Sequence, residues 1–269
     1  CIIFTVFYRK KIKTTEEEPL SFKETMKLVT TYGSHLSFRD FIQKFSQEFK
    51  IQSIGLASTP DMVLGYSIAN NYRLIASNTV NAIGKPLTIS FSRLYAKKEK
   101  DFIEQTYKLT IRFTNFMIMM ICGLMFLLSD FFLSFIYTPT YLNFSFFLKI
   151  VLIAMIFGIN KTFFLKIIRA SNKVSYLIPL AVLFTGLRLT LFLIGLFYWG
   201  IMGALIGDFL SSIAIFIITL ILDVRIFGIK LDLLKLGFQY VTFFLSLGLT
   251  ILLEGLFLSE LNSSILQVL

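Results

Sequence analysis

A chain of 269 residues that is 56% hydrophobic, 16% aromatic and only 16% charged falls outside the ordinary soluble globular class. Its mean hydropathy is +0.76. Apolar runs of about 20 residues, the length that carries a helix across roughly 30 Å of hydrocarbon, place it in a bilayer as helices. The 26 Lys and Arg against 16 Asp and Glu leave a net charge of +10, which admits nucleic acid, anionic lipid or an anionic substrate until the charges are located.

The expected architecture is all-α, a polytopic integral membrane helix bundle. In chain order, residues 1–8 read as the end of a transmembrane helix and 9–27 as a linker, with Glu16, Glu17, Glu18 and Pro19 in solvent. Residues 28–222 read as a six-helix lobe with spans at about 28–50, 62–84, 113–136, 144–165, 177–197 and 201–222. Within it, segment 87–108 alternates Phe91, Leu94, Tyr95 and Tyr107 with Arg93, Lys97, Lys98 and Lys108, the pattern of amphipathic turns lying on a membrane surface. A further span is expected at 237–257, and 265–269 reads as the start of another helix. Because the sequence opens and closes inside apolar runs, it is expected to be part of a longer chain. Cys1 and Cys122 define no disulfide framework.

The basic residues test this layout, since Lys and Arg gather in loops on the cytoplasmic side. Eighteen of the 26 fall in segments 9–27, 85–108, 166–176 and 223–236, while the alternate connections 51–61, 137–143, 198–200 and 258–264 hold none. Removing either of the two polar spans, 28–50 or 62–84, would break this alternation. The four basic loops are therefore expected to be cytoplasmic at a cell (plasma or inner) membrane. They account for most of the charge without nucleic acid, and anionic membrane lipid remains as a partner.

Eight basic residues stay within or at the edge of spans: Arg39, Lys44, Lys50, Arg73, Arg112, Lys149, Lys161 and Arg188. Arg39, Arg73 and Arg188 fall near mid-membrane, where each would cost about 2.5–3.5 kcal/mol against lipid. They must face elsewhere. At 100° per residue, His35, Arg39, Gln43, Gln47 and Lys50 share one side of their helix, opposite Phe38, Phe41, Phe45 and Phe49. The next span carries Tyr66, Asn70, Arg73, Ser77 and Asn81 on one side in the same way. Polar stripes running the depth of a membrane need an aqueous or substrate-filled space beside them. Arg39 and Lys50, with no evident acidic partner, are the leading candidates for holding an anionic group. Arg73 and Arg188 are either further ligands of that group or buried ion pairs, with Asp40 and Asp208 respectively. Guanidinium suits a phosphate because it offers two parallel donors. His35, Gln43, Gln47, Tyr66, Asn70, Ser77 and Asn81 are the expected polar lining.

Chemistry of other kinds lacks its parts. His35 is the sole histidine, and the sequence carries no metal-spaced ligand set, no Gly-rich phosphate loop and no nucleophile with its base. No metal, no cofactor and no catalytic residue are expected, and the chain is not expected to be an enzyme.

The order of residues resembles a known family. Ile54-Gly55, then Pro60-Asp61-Met-Val-Leu-Gly65-Tyr66-Ser67-Ile-Ala69, a polar helix closing on Pro86, and Ser90-Phe-Ser92-Arg93-Leu94-Tyr95-Ala96 resemble the seventh and eighth helices of Wzx-type polysaccharide flippases. These belong to the multidrug/oligosaccharidyl-lipid/polysaccharide exporter superfamily. Phe135-Ile136-Tyr137 to Tyr141, and Gly200-Ile-Met-Gly203-Ala204-Leu-Ile-Gly207, are similar to later family signals. The resemblance implies two six-helix lobes around a cationic cavity, of which this chain is the second lobe plus one or two C-terminal helices. It also implies a lipid-pyrophosphate-linked glycan as substrate, alternating access as mechanism, and an N-terminal lobe of the same protein as partner. Lys50 stands where the family pattern commonly has Asp, and Thr138 where it has Gly, so no coupling-ion site is carried over. The alternatives are a cation-coupled multidrug exporter of the same superfamily, which the basic stripes disfavour, and a membrane glycan polymerase or glycosyltransferase, which the short external connections disfavour.

Overall fold

The computed structural model describes residues 21–97, 100–171, 173–229 and 231–268; within these, the side chains of Asn81, 83–85, 87, 88, 100, 174, 255–268 and most of 22–32 lie outside the description. The expected helix end at 1–8 and most of the linker at 9–27 also lie outside it. The described chain is helical, with no strand among the described residues.

Helix α1 spans Phe22–Ala57 and α2 spans Pro60–Ala96. Their 36 and 37 residues rise about 54 Å or more, well beyond the roughly 30 Å of a hydrocarbon core. Two expectations change accordingly. The helix begins at Phe22 instead of about residue 28, and α2 continues through Pro86 instead of yielding to a separate surface segment. Pro86 is exposed, and a proline at a helix surface removes one backbone donor without displacing a packed neighbour. The helix also starts well, with Pro60 in the first turn, where an amide N–H has no partner to lose, and Asp61 at the positive end of the dipole.

Helix α3, Lys100–Leu127, ends where Leu128 leaves helical geometry, and the short α4, Ser129–Ile136, completes the stretch expected as a single span. A 3₁₀ turn, Pro139–Phe144, leads into α5, Ser145–Ala170. At this end, the Ser129 and Ser145 hydroxyls lie 3.2 Å apart, Ser145 donates to Asp130, and Lys149 stands 3.8 Å from the same carboxylate. Helix α6, Leu177–Leu222, is a hairpin of two arms that reverse at Trp199 and Gly200, where Gly200 takes φ +63°. Its arms touch backbone to backbone. A Cβ added at Gly195 would strike the Gly203 carbonyl, and one at Gly207 would strike that of Leu191. A π-helical turn, Asp223–Phe227, and Gly228 at φ +69° lead to α7, Leu233–Val268.

Four described segments are long and apolar enough to cross a membrane: Asp101–Leu127, Pro139–Ala170, Leu177–Phe227 and Leu233–Glu254. The third contains both arms of α6. Outward-facing Phe197, Leu234 and Phe135 are what a lipid-facing surface requires. The protein is a multi-pass membrane protein. Three of its basic connections, 85–108, 166–176 and 223–236, lie together at one end: Tyr107 donates to Asp223 at 2.8 Å, Lys173 donates to the Ile226 carbonyl at 2.9 Å, and Arg112 stands 3.8 Å from Asp232. The core fills the space between α2, α3, α5 and α6, with Phe91 meeting Tyr107 edge-on and Tyr66 against Phe192.

Candidate functional site: a cationic cavity

Helix α1 packs chiefly on α6 and α2 on α5, and the four enclose a cavity of about 360 Å³. Helical periodicity decides what faces it. From α1 come Arg39, Gln43, Ser46, Gln47 and Lys50, the side of that helix opposite its exposed phenylalanines. From α2 come Tyr66, Asn70, Arg73 and Ser77, one residue per turn. Arg188 enters from the first arm of α6. Nine of the residues singled out from sequence thus converge on one space. His35 lies outside the lining, and the side chain of Asn81 lies outside the described residues.

Helix α5 supplies what sequence reasoning left out: Lys161, Thr162, Lys166 and Arg169. Ending that span at residue 165 assigned Lys166 and Arg169 to a loop, whereas the helix runs to Ala170. The signal was present, since Lys161, Leu165 and Arg169 follow each other at i, i+4 and i+8. Thr185 and Ser212 from the two arms of α6 add hydroxyls. Among the described residues, the lining holds seven Lys and Arg and no Asp or Glu.

One carboxylate sits behind this wall. Asp208, 5% exposed, accepts from Arg188 Nε at 2.7 Å on Oδ1 and from Arg188 Nη2 at 2.6 Å on Oδ2. This is the two-donor fork that arginine makes with carboxylates. Lys50, 4% exposed, donates to the same Oδ1, its ammonium 4.6 Å from the centre of the Phe192 ring. Of the two readings open for Arg188, the structure contains the ion pair. Lys50 was expected to have no acidic partner, and that is corrected here; the partner is 158 positions away in sequence, where no local spacing points to it. Arg39 likewise has one, the neighbouring Asp40 at 2.6 Å, although Asp40 is more than half exposed. Asp40 therefore serves Arg39 and not Arg73. Arg73 instead donates to the neutral Asn70 Oδ1 at 2.6 Å.

After these pairings the cavity keeps an excess of positive charge. Its guanidinium and ammonium groups, with amide and hydroxyl groups between them, form a surface for a multiply charged anion bearing polar substituents. Among the described residues, no three His, Cys, Asp or Glu side chains group as metal ligands would.

A multi-pass helical bundle with a basic internal cavity is the class that fold and site define. Residues 1–146 match the model of a family described as polysaccharide biosynthesis protein. That is more than half of the chain, and the chain belongs to this family. The protein therefore has a role in polysaccharide biosynthesis. The matched stretch includes both polar-striped helices, α1 and α2. No curated protein and no solved structure matches the chain.

Proposed function

We propose that this chain is one lobe of a flippase that moves lipid-pyrophosphate-linked glycan units from the cytoplasmic to the outer leaflet of the cell membrane. It acts as a transporter and not as an enzyme. The observation that carries the reading is a cavity lined, among the described residues, by seven basic and no acidic side chains, built from helices of a polysaccharide biosynthesis family member. A lipid-linked diphosphate is the anion that glycan assembly presents at a membrane. Arg39, Lys50, Arg73 and Arg188 hold its charged group, and Gln43, Gln47, Tyr66, Asn70 and Ser77 offer hydrogen bonds to sugar or water. A second lobe, N-terminal in the same protein, faces this one, and rocking of the two exposes the site to each side in turn. The alternation of basic and non-basic connections supports a cytoplasmic position for segments 9–27, 85–108, 166–176 and 223–236.

Export complementation in cells lacking the flippase tests the reading. With Arg39→Gln and Arg73→Gln together in the full-length protein, and membrane levels matched, glycan export falls about tenfold or more, because hydrogen bonds to charged groups are each worth about 1.5–3 kcal/mol. Undiminished export in the double variant would sink the assignment.

A further inference from the structure

Lys161 sits on α5 and lines the cavity together with Arg39 of α1, Arg73 of α2 and Arg188 of α6. Basic side chains from four helices thus face a common space. The charged groups that act on Lys161 are Arg188, Arg39, Arg73 and Asp208, three cations and one anion. That anion is already engaged, since Arg188 takes both oxygens of Asp208 and Lys50 shares one. Among the described residues Lys161 has no ion-pair partner, and its ammonium stands 5.4 Å from the centre of the Phe184 ring. A ring face replaces only part of the hydration that an ammonium loses. Arg73 is in a similar position, with a neutral amide as its partner.

An unpaired charge beside other like charges is costly to keep. Residues that lower the stability of the empty protein are retained where activity needs them. We infer that Lys161, with Arg73 from the neighbouring wall, belongs to the subsite for a doubly charged phosphate group, a ligand that supplies the negative charge neither side chain receives from a carboxylate among the described residues. This rests on the flippase reading for the source of the group, and it adds a residue to that reading. Arg39 and Arg188, each with a carboxylate of its own, flank the subsite and orient the anion.

The role separates cleanly from a structural one. A lysine that held the fold together would cost stability when neutralised. Lys161 placed for a ligand predicts the opposite, with a stable empty protein and a lost response to anion. The full-length protein in phosphatidylcholine nanodiscs, titrated with inorganic pyrophosphate and followed by thermal unfolding, reads both. Wild type rises in Tm with pyrophosphate. Lys161→Gln has an unliganded Tm equal to or above wild type and binds pyrophosphate about tenfold or more weakly, while Lys161→Arg stays within a few-fold of wild type. Pyrophosphate binding unchanged in Lys161→Gln overturns the assignment and leaves the flippase reading standing. A lowered unliganded Tm with the pyrophosphate response intact overturns it too, in favour of a packing role. A wild type that ignores pyrophosphate but is stabilised in phosphatidylglycerol nanodiscs gives the cavity to bulk anionic lipid, and overturns both readings.

Discussion

Two aspartates in this protein each gather one arginine and one lysine, and their surroundings make them opposites. Asp208 holds Arg188 and Lys50 inside the helix bundle, with its side chain 7% exposed. Asp232 stands 2.9 Å from Lys235 and 3.8 Å from Arg112, with its side chain 40% exposed. The residue types are the same. Inside, Lys50 and Asp208 have lost their hydration while Arg188 keeps part of its surface open to the cavity, and the buried charges are tolerable only while their partners remain. Outside, water screens all three, and such pairs contribute little. The inner triad also joins three pieces of chain, α1 and both arms of α6, whereas the outer one joins the middle of α3 to the start of α7. Charge placement in the first sets the shape of a cavity wall.

Removing the carboxylate breaks the comparison most sharply. Asp208→Asn strands the buried Lys50 and the half-buried Arg188 and is expected to cost about 3–5 kcal/mol, the range for losing one member of a buried pair. Denaturant or thermal unfolding of the purified protein in detergent measures it. A loss no larger than that of a surface substitution would mean that water reaches the triad.

Next in size is a change that touches neither charge. Arg188 and Asp208 face each other only because the arms of α6 meet through glycine, and a Cβ at Gly203 would run into the Gly195 backbone and the Trp199 side chain. Gly203→Leu is expected to cost about 3 kcal/mol, at the upper end for overpacking, since backbone cannot step aside. It parts the buried fork and leaves the Asp232 triad intact. Cysteines at 188 and 208 in the Gly203→Leu background, cross-linked by reagents of graded length, report the separation; an unchanged span length would place the closure of the hairpin elsewhere.

What the sequence made readable follows the same division between local and distant. The stripes on α1 and α2 are visible because Arg39, Gln43, Gln47 and Lys50, or Tyr66, Asn70, Arg73 and Ser77, recur at the period of a helix. The reversal at Gly200 is visible because Tyr198-Trp199-Gly200 interrupts two apolar runs. The partnership of Lys50 with Asp208 is invisible, since it depends on packing α1 against the α6 hairpin across 158 positions. Lys161, Lys166 and Arg169 were divided between span and loop by a boundary, the least secure feature of any such reading. Hydropathy ends a span where charges begin; a helix beside a cavity continues through them. For the same reason Pro86 is a poor stop signal in α2, where the helix has already passed the length that crosses a membrane.

The smallest expected effect sharpens the comparison from the other side. Lys235, hydrogen-bonded beside it, holds the Asp232 carboxyl below the ordinary carboxylate value. A depressed carboxyl stabilises the folded state only where the unfolded chain is already ionised. Its contribution is therefore present above the ordinary Asp value of about 3.9 and fades as pH falls below it. Because the group is exposed, the contribution is also screened by salt. Asp232→Asn is expected to leave Tm nearly unchanged at neutral pH and physiological ionic strength. Any small deficit should vanish in 1 M salt, where the screening length is about 3 Å, and should shrink as pH is lowered below the ordinary Asp value of about 3.9. A large deficit that survives high salt would show that Asp232 is as sheltered as Asp208, and that position in the bundle does not set the strength of these two triads.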